Sequence, residues 1–370
     1  MINKKVLYIY GRTEINAAKL SFMPFGINPV FKMAEMGMEI DLYLTQSKTN
    51  YYQQIFPSNV KIHFMDNKFI WSSGRAKRFI VKIFMYIFFK TFFKKYDIIL
   101  GAGQVGISLA GFVNYFKRVK LIYLSDEFPH VYHKSYWKKL EYYFSKKANY
   151  FIVPDESRLD ITCKTVGLSP NTGYFLPNIP LSVNIQDNDW FNKLNIPSNS
   201  KIILLAGGLG FENNIDPILS VFPLTQNDVY LVVVGKTSEY ETSLIFKHPR
   251  IIFINQEFTD EEIAGLISVS TCSLGYYSDK EDLCYVGKSS GKIMRSLLIG
   301  TPVIATDFDS LKFIEEEKMG TLITKPLELI EAINYCIQNQ KELRENIKNN
   351  IHKYYFDKYW NDFIIKSQIF

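Results

Sequence analysis

Apolar positions along this chain fall into short, nearly continuous runs, separated by stretches where they recur at every third or fourth residue. Runs of β-branched and aromatic residues closed by a glycine or an acidic turn mark strands buried on both faces, and the intervening 3.6-residue period marks covering helices. Their alternation predicts βαβ units and parallel sheets. The runs predict strands over 5–10, 39–44, 61–65, 97–101, 120–125 and 149–153. A second set falls at 201–206, 229–235, 250–254, 271–274, 301–306 and 320–323. Two sets of this kind predict an α/β protein of two Rossmann-like, doubly wound domains.

Between the sets lies Leu176-Pro177-Asn178-Ile179-Pro180, followed by a polar stretch over 184–199. Two prolines one turn apart cannot continue a helix or a central strand, so this is the expected linker. The expected division is a first domain over 1–180, a second over 181–351, and an aromatic-rich helix over 352–370 packed across the domain junction. A length of 370 residues with 47% hydrophobic and 22% charged content suits two globular domains. The apolar run before Gly11 is too short for a secretory h-region, so no signal peptide is expected. Cys163, Cys272, Cys284 and Cys336 show neither metal-type spacing nor a paired framework. A reducing, cytoplasmic setting is the expectation.

Charge divides the chain more sharply than its total of +6 implies. Residues 1–180 carry 25 Lys and Arg against 12 Asp and Glu, and the remainder carries 18 against 25. Basic low-complexity runs are absent, so the positive half points to an anionic membrane surface or a phosphate-bearing lipid before nucleic acid.

The segment 287–306, GKSSGKIMRSLLIGTPVIAT, orders a loop, a helix, a turn and a strand. Small residues Ser289, Ser290 and Gly291 leave the N–H groups of a helix start uncovered, and those donors with the helix dipole favour an anion such as a diphosphate. Lys288 and Lys292 add positive charge. Ile293, Leu297 and Leu298 supply the buried face, Gly300 ends the helix, and Pro302 leads into the strand.

This segment resembles the nucleotide-binding signature of GT-B glycosyltransferases, in particular the group 1, family 4-like enzymes of bacterial surface polysaccharide synthesis. Gly207-Gly208-Leu209 after the strand 201–206, Val232-Val233-Val234-Gly235, and the proline-flanked hinge agree with that family's plan. The resemblance implies two Rossmann-like domains about a deep interdomain cleft, with the sugar nucleotide on the second and the acceptor on the first. It implies Gly207, Gly208, Lys236, Gln256, Lys288, Ser289, Ser290, Gly291, Lys292 and Arg295 as donor-binding positions. The nucleotide sugar enters as substrate, with no cofactor and no metal expected. Two departures leave the stereochemical outcome open. Where many retaining members carry two glutamates eight positions apart, this chain has Gly287 and Arg295. Where they carry an arginine and a lysine, it has Gly208 and Asn213.

Asp126 and Glu127 follow the strand 120–125 at its carboxyl end, where open α/β sheets bind ligands. They resemble a His-Glu pair of the family's acceptor loop, and a carboxylate there suits a general base. The plainer alternative is a solvated pair or a helix cap. His130 and His133 are weaker candidates, and Asp155-Glu156 suits a capping role. Gly101, Gly103 and Gly106 match GxGxxG, which leaves a dinucleotide site against close packing. Asp279, Glu281 and Asp282 could meet sugar hydroxyls or simply line a solvated loop.

The stretch 74–95 is basic at both ends and almost continuously apolar between. Interior lysines argue against a spanning helix. Either an interfacial helix inserting Phe84, Ile87, Phe88 and Phe92, or a Rossmann helix buried on its sheet, fits the pattern, and one helix can be both. With the basic first half, this leads to a glycan or polyprenyl-linked acceptor and peripheral contact with the inner face of the plasma membrane through 75–95. A sugar-nucleotide epimerase of the same fold and a non-catalytic sugar-nucleotide-binding protein remain as alternatives.

Overall fold

The computed structural model describes residues 4–11, 23–45, 55–65, 76–127, 136–186, 189–207, 215–235, 248–256, 258–278 and 283–369. Among these the chain forms two compact units, one of Met1–Pro177 with Phe356–Phe370 and one of Asn178–Tyr355.

In the first unit the order is β1 (Lys5–Tyr10), α1 (Pro24–Glu35), β2 (Glu39–Leu44), β3 (Val60–Phe64), α2 (Ala76–Thr91), β4 (Ile98–Ala102), α3 (Gly103–Lys117), β5 (Lys120–Leu124), α4 (Tyr136–Ser145), β6 (Tyr150–Val153), α5 (Ser157–Val166) and β7 (Gly173–Phe175). The strands lie β3-β2-β1-β4-β5-β6-β7, every pairing parallel. Connections switch direction between β1 and β4, the doubly wound arrangement. The six runs read from the sequence are all strands; β7 was not foreseen, being three residues on a sheet edge.

Helices α2, α3 and α4 share one core with the sheet, in which Ile80, Ile83 and Ile87 meet Leu7, Ile99 and Tyr123. This corrects the expected orientation of α2. Ile87 is fully buried, while Phe84 and Phe88 are half-buried, packing on Phe112 at ring separations of 4.8 and 6.2 Å. Of the four residues expected to enter a membrane, Phe92 alone is largely exposed. The outward face carries Val81, Met85 and Phe89 instead. A helix with apolar residues on both sides gives a sequence pattern that does not say which side meets the sheet. Among the described residues no helix is long and apolar enough to cross a membrane.

The GxGxxG segment packs as close backbone contact. A Cβ on Gly106 would sit 2.5 Å from the Ile9 carbonyl oxygen, and one on Gly101 2.5 Å from the Ile107 Cα. The N–H groups of Val105 and Gly106 donate to the Gly11 carbonyl at 3.1 and 3.2 Å. The third and fourth N–H groups of α3 are therefore spent on the chain itself, and the glycines serve close packing.

Next to the edge strand of this sheet, Asp41 on β2 is buried. Its carboxylate accepts from Tyr96 Oη at 2.7 Å and Lys94 Nζ at 2.9 Å, and pairs with His63 Nε2 at 3.1 Å. The segment expected as one helix over 352–370 is split. Ile351–Tyr354 is a 3-10 turn, and the helix (Phe356–Ser367) starts after Tyr355, whose extended backbone breaks the run. Phe363 packs on Tyr174 at 4.8 Å and Asp357 pairs with Lys32 at 2.8 Å, so the helix is built into the first unit.

The second unit repeats the plan with β8 (Lys201–Ala206), β9 (Val229–Val234), β10 (Ile251–Ile254), β11 (Cys272–Gly275), β12 (Val303–Thr306) and β13 (Gly320–Ile323). These lie β10-β9-β8-β11-β12-β13, all parallel, with apolar cores on both faces. The polar stretch expected as linker is structured. Asp189 caps a helical turn at Trp190–Lys193, Trp190 is buried, and a Cβ on Gly265 would meet the Gln186 carbonyl oxygen at 2.3 Å.

Candidate functional site

In the second unit the connections reverse between β8 and β11, and the loops leaving these strands converge on one helix start. From β8 the chain passes into Gly207, whose φ of +136° is a conformation reserved in practice for glycine. From β11 it passes through Tyr276 and Tyr277 toward the helix Gly291–Ile299. Tyr277 is locked by a reciprocal pair with Thr306 of β12: its N–H donates to Thr306 Oγ1 at 2.8 Å and its carbonyl accepts from that hydroxyl at 3.0 Å.

Ser290 caps this helix, its Oγ accepting from the Ile293 N–H at 3.3 Å while hydrogen-bonding the Tyr277 hydroxyl. Ser289 Oγ donates to the Val286 carbonyl. Both hydroxyls expected at the donor site are thus spent on shaping the loop. The Gly291 and Lys292 N–H groups, the first two of the helix, have no intrahelical acceptor, and among the described residues no other backbone oxygen takes them. Gly300, with φ of +91°, ends the helix in the left-handed conformation, as its sequence position predicts.

Lys292 lies among these elements. Its Nζ is 4.1 Å from the Tyr277 ring centroid and donates to the Tyr276 carbonyl at 3.3 Å. A Cβ on Gly207 would lie 3.9 Å from its Cδ. Burial of the ammonium pulls its pKa down to about 8. A cation held in a desolvated place by a ring face and one carbonyl is poised for an anion, because the charge is costly there until a counter-charge arrives.

The remaining positions separate. Lys288 Nζ turns to the rings of Phe313 and Tyr354, at 5.1 and 5.9 Å. Arg295 pairs with Asp260 at 2.9 Å, bracing the helix against Asp260–Val269. Arg295 is four positions into the helix, about a full turn from the open N–H groups. Gln256 is exposed after β10. Gly208 and Lys236, with Asp279, Glu281 and Asp282, lie outside the described residues, as do His130 and His133.

Asn178 is the residue that sequence reasoning left out. Its N–H donates to the Lys288 carbonyl at 3.0 Å and its Nδ2 to the Ser289 carbonyl at 3.0 Å. A Cβ on Gly291 would lie 3.3 Å from that amide nitrogen. A buried asparagine between two prolines was a signal, read only as a hinge. Asn178→Ala is expected to cost about 1–2 kcal/mol of stability, the loss of buried hydrogen bonds, and to lower anion affinity through the loosened loop. Thermal unfolding and nucleotide titration of the variant check both.

In the first unit Asp126 and Glu127 leave the end of β5. Ser125 Oγ donates to the Glu127 carbonyl at 2.9 Å and Arg158 Nη1 to the Asp126 carbonyl at 3.2 Å, which fixes the backbone of the turn. Asp126 is half-buried and Glu127 exposed. Behind them the buried Glu141 accepts from Tyr123 Oη at 2.6 Å and pairs with Lys138 at 3.0 Å. Burial, helped by the Asp126 charge, pushes its carboxyl up to about 7 despite Lys138 and Tyr123. A glutamate inside an otherwise helical run gave no sequence sign of this. The downstream Asp155 does cap, accepting from the Ser157 N–H at 2.9 Å.

A folded-state pKa above that of the unfolded chain contributes stability at low pH that is lost as pH rises through the folded value. Glu141 thus favours the fold below about pH 4 and loses that contribution toward pH 7. Glu141→Gln is expected to flatten this part of the stability profile, measured by denaturant melts from pH 4 to 8 as compared with the unsubstituted chain.

Among the described residues no group of His, Cys, Asp and Glu is placed to hold a metal ion.

The chain matches no family model and no curated protein. Its fold is shared with solved structures over nearly its whole length. Anabaena HepE in complex with UDP and glucose superposes with a TM-score of 0.73 at 13% identity, covering 99% of each chain. Sucrose-phosphate synthase from Thermosynechococcus elongatus gives 0.67 at 15% identity, covering 99% of this chain and 98% of that one. A Listeria monocytogenes protein described as a UDP-N-acetylglucosamine 2-epimerase gives 0.62 at 14% identity, covering 94% and 91%. The fold is GT-B, two Rossmann-like domains in one chain. At these identities the likeness establishes the architecture, and the chemistry rests on this chain's own residues.

Proposed function

We propose that the protein is a glycosyltransferase that moves a sugar from a nucleotide-sugar donor to a hydroxyl of a glycan or lipid-linked glycan. The observation that carries this reading is the convergence of Gly207, the open N–H groups of Gly291 and Lys292, and the Lys292 ammonium at the switch point of the second sheet. Such a place suits a diphosphate, with the backbone donating to its oxygens and Lys292 supplying counter-charge. UDP bound to HepE, a protein of the same fold, supports the donor class.

In this reading the second unit holds the donor and the first the acceptor. For transfer with inversion, Asp126 or Glu127 takes the acceptor proton as the hydroxyl attacks the anomeric carbon and the nucleotide diphosphate leaves. No cofactor or metal takes part. The protein works in the cytoplasm, at the inner face of the membrane, in the synthesis of a surface polysaccharide.

The test is a thermal-shift screen of UDP-, GDP- and CMP-sugars, followed by transfer assays with the best binder. Stabilisation by one sugar nucleotide with product formed on a glycan acceptor is the expected result. Conversion of the free sugar nucleotide without an acceptor would favour an epimerase, the description borne by the Listeria protein of the same fold. Binding without turnover of any kind would leave a sugar-nucleotide-binding protein.

A further inference from the structure

We propose that the outer faces of α2, α3 and α4 form one docking surface for an anionic lipid bilayer. Val81, Met85 and Phe89 follow one another at every fourth residue on α2, all exposed, and Phe93 beyond its end is 90% exposed. Tyr115 and Phe116 are exposed at the end of α3, and Tyr142 and Tyr143 at the end of α4.

These side chains form a continuous patch. Phe88 touches Phe89, Phe92 and Phe116 at ring separations of 5.7, 4.8 and 4.9 Å. Phe116 stacks edge-on to Tyr115 at 5.3 Å. Lys147 Nζ then lies over both Tyr115 and Tyr143, at 5.6 and 4.1 Å, joining the end of α3 to the end of α4. A contiguous apolar surface of this kind signals an interaction.

Charge complementarity selects the occupant. Residues 80–95, 112–120 and 136–147 together carry eleven Lys and Arg; Lys94 pairs with Asp41 and the buried Lys138 with Glu141, which leaves nine with no other carboxylate in these segments. Exposed ammonium groups sit beside aromatic rings, Lys90 over Tyr86 at 5.8 Å and Lys146 over Tyr142 at 3.8 Å. Aromatic bodies flanked by cations match the boundary between acyl chains and anionic head groups, where rings partition and ammonium groups meet phosphate. With 16 residues α2 is about 24 Å long, enough to lie along a bilayer rather than enter it end-on. The surface deepens, and rests on, the reading of the first unit as the half that takes a membrane-borne acceptor.

The experiment is co-sedimentation of the full chain with vesicles of phosphatidylcholine alone or mixed with phosphatidylglycerol, with UDP-sugar titration on the same samples. Binding to the mixed vesicles is expected, with weak binding to the neutral ones. The Phe89→Ser/Phe93→Ser double variant is expected to bind at least about tenfold more weakly, through lost insertion. Lys90→Gln/Lys95→Gln is expected to lose about fivefold per charge. The lysine pair decides the matter should the phenylalanine pair fail to fold. Equal binding by wild type and lysine variant, or equal affinity for both vesicle types, would overturn the proposal. So would absence of vesicle binding with a dimer that these substitutions dissolve, which would assign the patch to a second copy. Loss of vesicle binding with donor titration intact is the supporting result. Failure of the wild type to bind any sugar nucleotide sinks the donor site alone.

Discussion

Lys292→Ala is expected to lower affinity for a nucleotide diphosphate by about ten- to a hundredfold, the 1.5–3 kcal/mol of a hydrogen bond to a charged group. The ring of Tyr277 and the carbonyl of Tyr276 hold the ammonium where a diphosphate on the Gly291 and Lys292 N–H groups would meet it. The pH profile separates this role from a merely structural one. With its pKa pulled down to about 8 by burial, Lys292 loses its proton above that pH in the free protein. Affinity should fall by up to about tenfold per pH unit beyond it, since the anion binds the protonated form. Stability without ligand should move oppositely. Between about pH 8 and the usual lysine value the unfolded chain binds the extra proton, so this residue's contribution to stability rises with pH there. Calorimetric titration from pH 7 to 9.5, with melts across the same range, reads both slopes. A pH-independent affinity, or one unchanged in Lys292→Ala, would remove Lys292 from the site.

Asp41→Ala is expected to destabilise the first unit by about 3 kcal/mol, the lower end of the cost of breaking a buried charge pair. Asp41 is the acceptor that Tyr96, Lys94 and His63 share. Burial would raise its pKa, and the hydrogen bonds from His63, Lys94 and Tyr96 instead hold it well below the usual carboxylate range. A depressed carboxylate pKa contributes stability present above the unfolded value and lost as pH falls toward the folded one. The contribution is therefore complete at neutral pH and declines below about pH 4. At 2–4 °C per kcal/mol, the melting temperature of a unit this size should drop by about 6–12 °C. Asp41→Asn should cost less, retaining an oxygen to accept while losing the charge that Lys94 requires. Equal melting of Asp41→Ala and wild type at pH 7 would show the cluster to be energetically idle.

What the sequence made legible follows from what is local. Twelve strands were readable because each is a short apolar run, most of them buried on both faces, and four of them, Lys5–Tyr10, Glu39–Leu44, Lys201–Ala206 and Gly320–Ile323, begin and end where the pattern does. The helix start at Gly291 was readable for the same reason, since cap, helix and Gly300 stop lie within a dozen residues. Side-chain allegiance was not. Arg295 adjoins the motif in sequence, yet its charge is taken by Asp260, thirty-five positions earlier. Asp41 gathers three partners from two later segments, neither of which marks it. On α2 both faces are apolar, and only packing on the sheet separated the buried isoleucines from the exposed Phe89 and Phe93. The polar stretch over 184–199 yielded no element from its pattern, because a single tryptophan and a close backbone contact at Gly265 anchor it.

The second sheet repeats the order of the first six strands of the first sheet, yet the equivalent helix starts are closed by different groups. In the first, the Gly11 carbonyl sits on the N–H groups of Val105 and Gly106. In the second, the N–H groups at the same two positions, those of Ile293 and Met294, are taken by Ser290 of the helix's own cap. A phosphate approaching the first start would meet an oxygen already in possession, and would have to displace a backbone contact that also seats α3 on its sheet. One plan is thereby closed in two ways, by a distant strand end in the first unit and by the helix's own serine in the second.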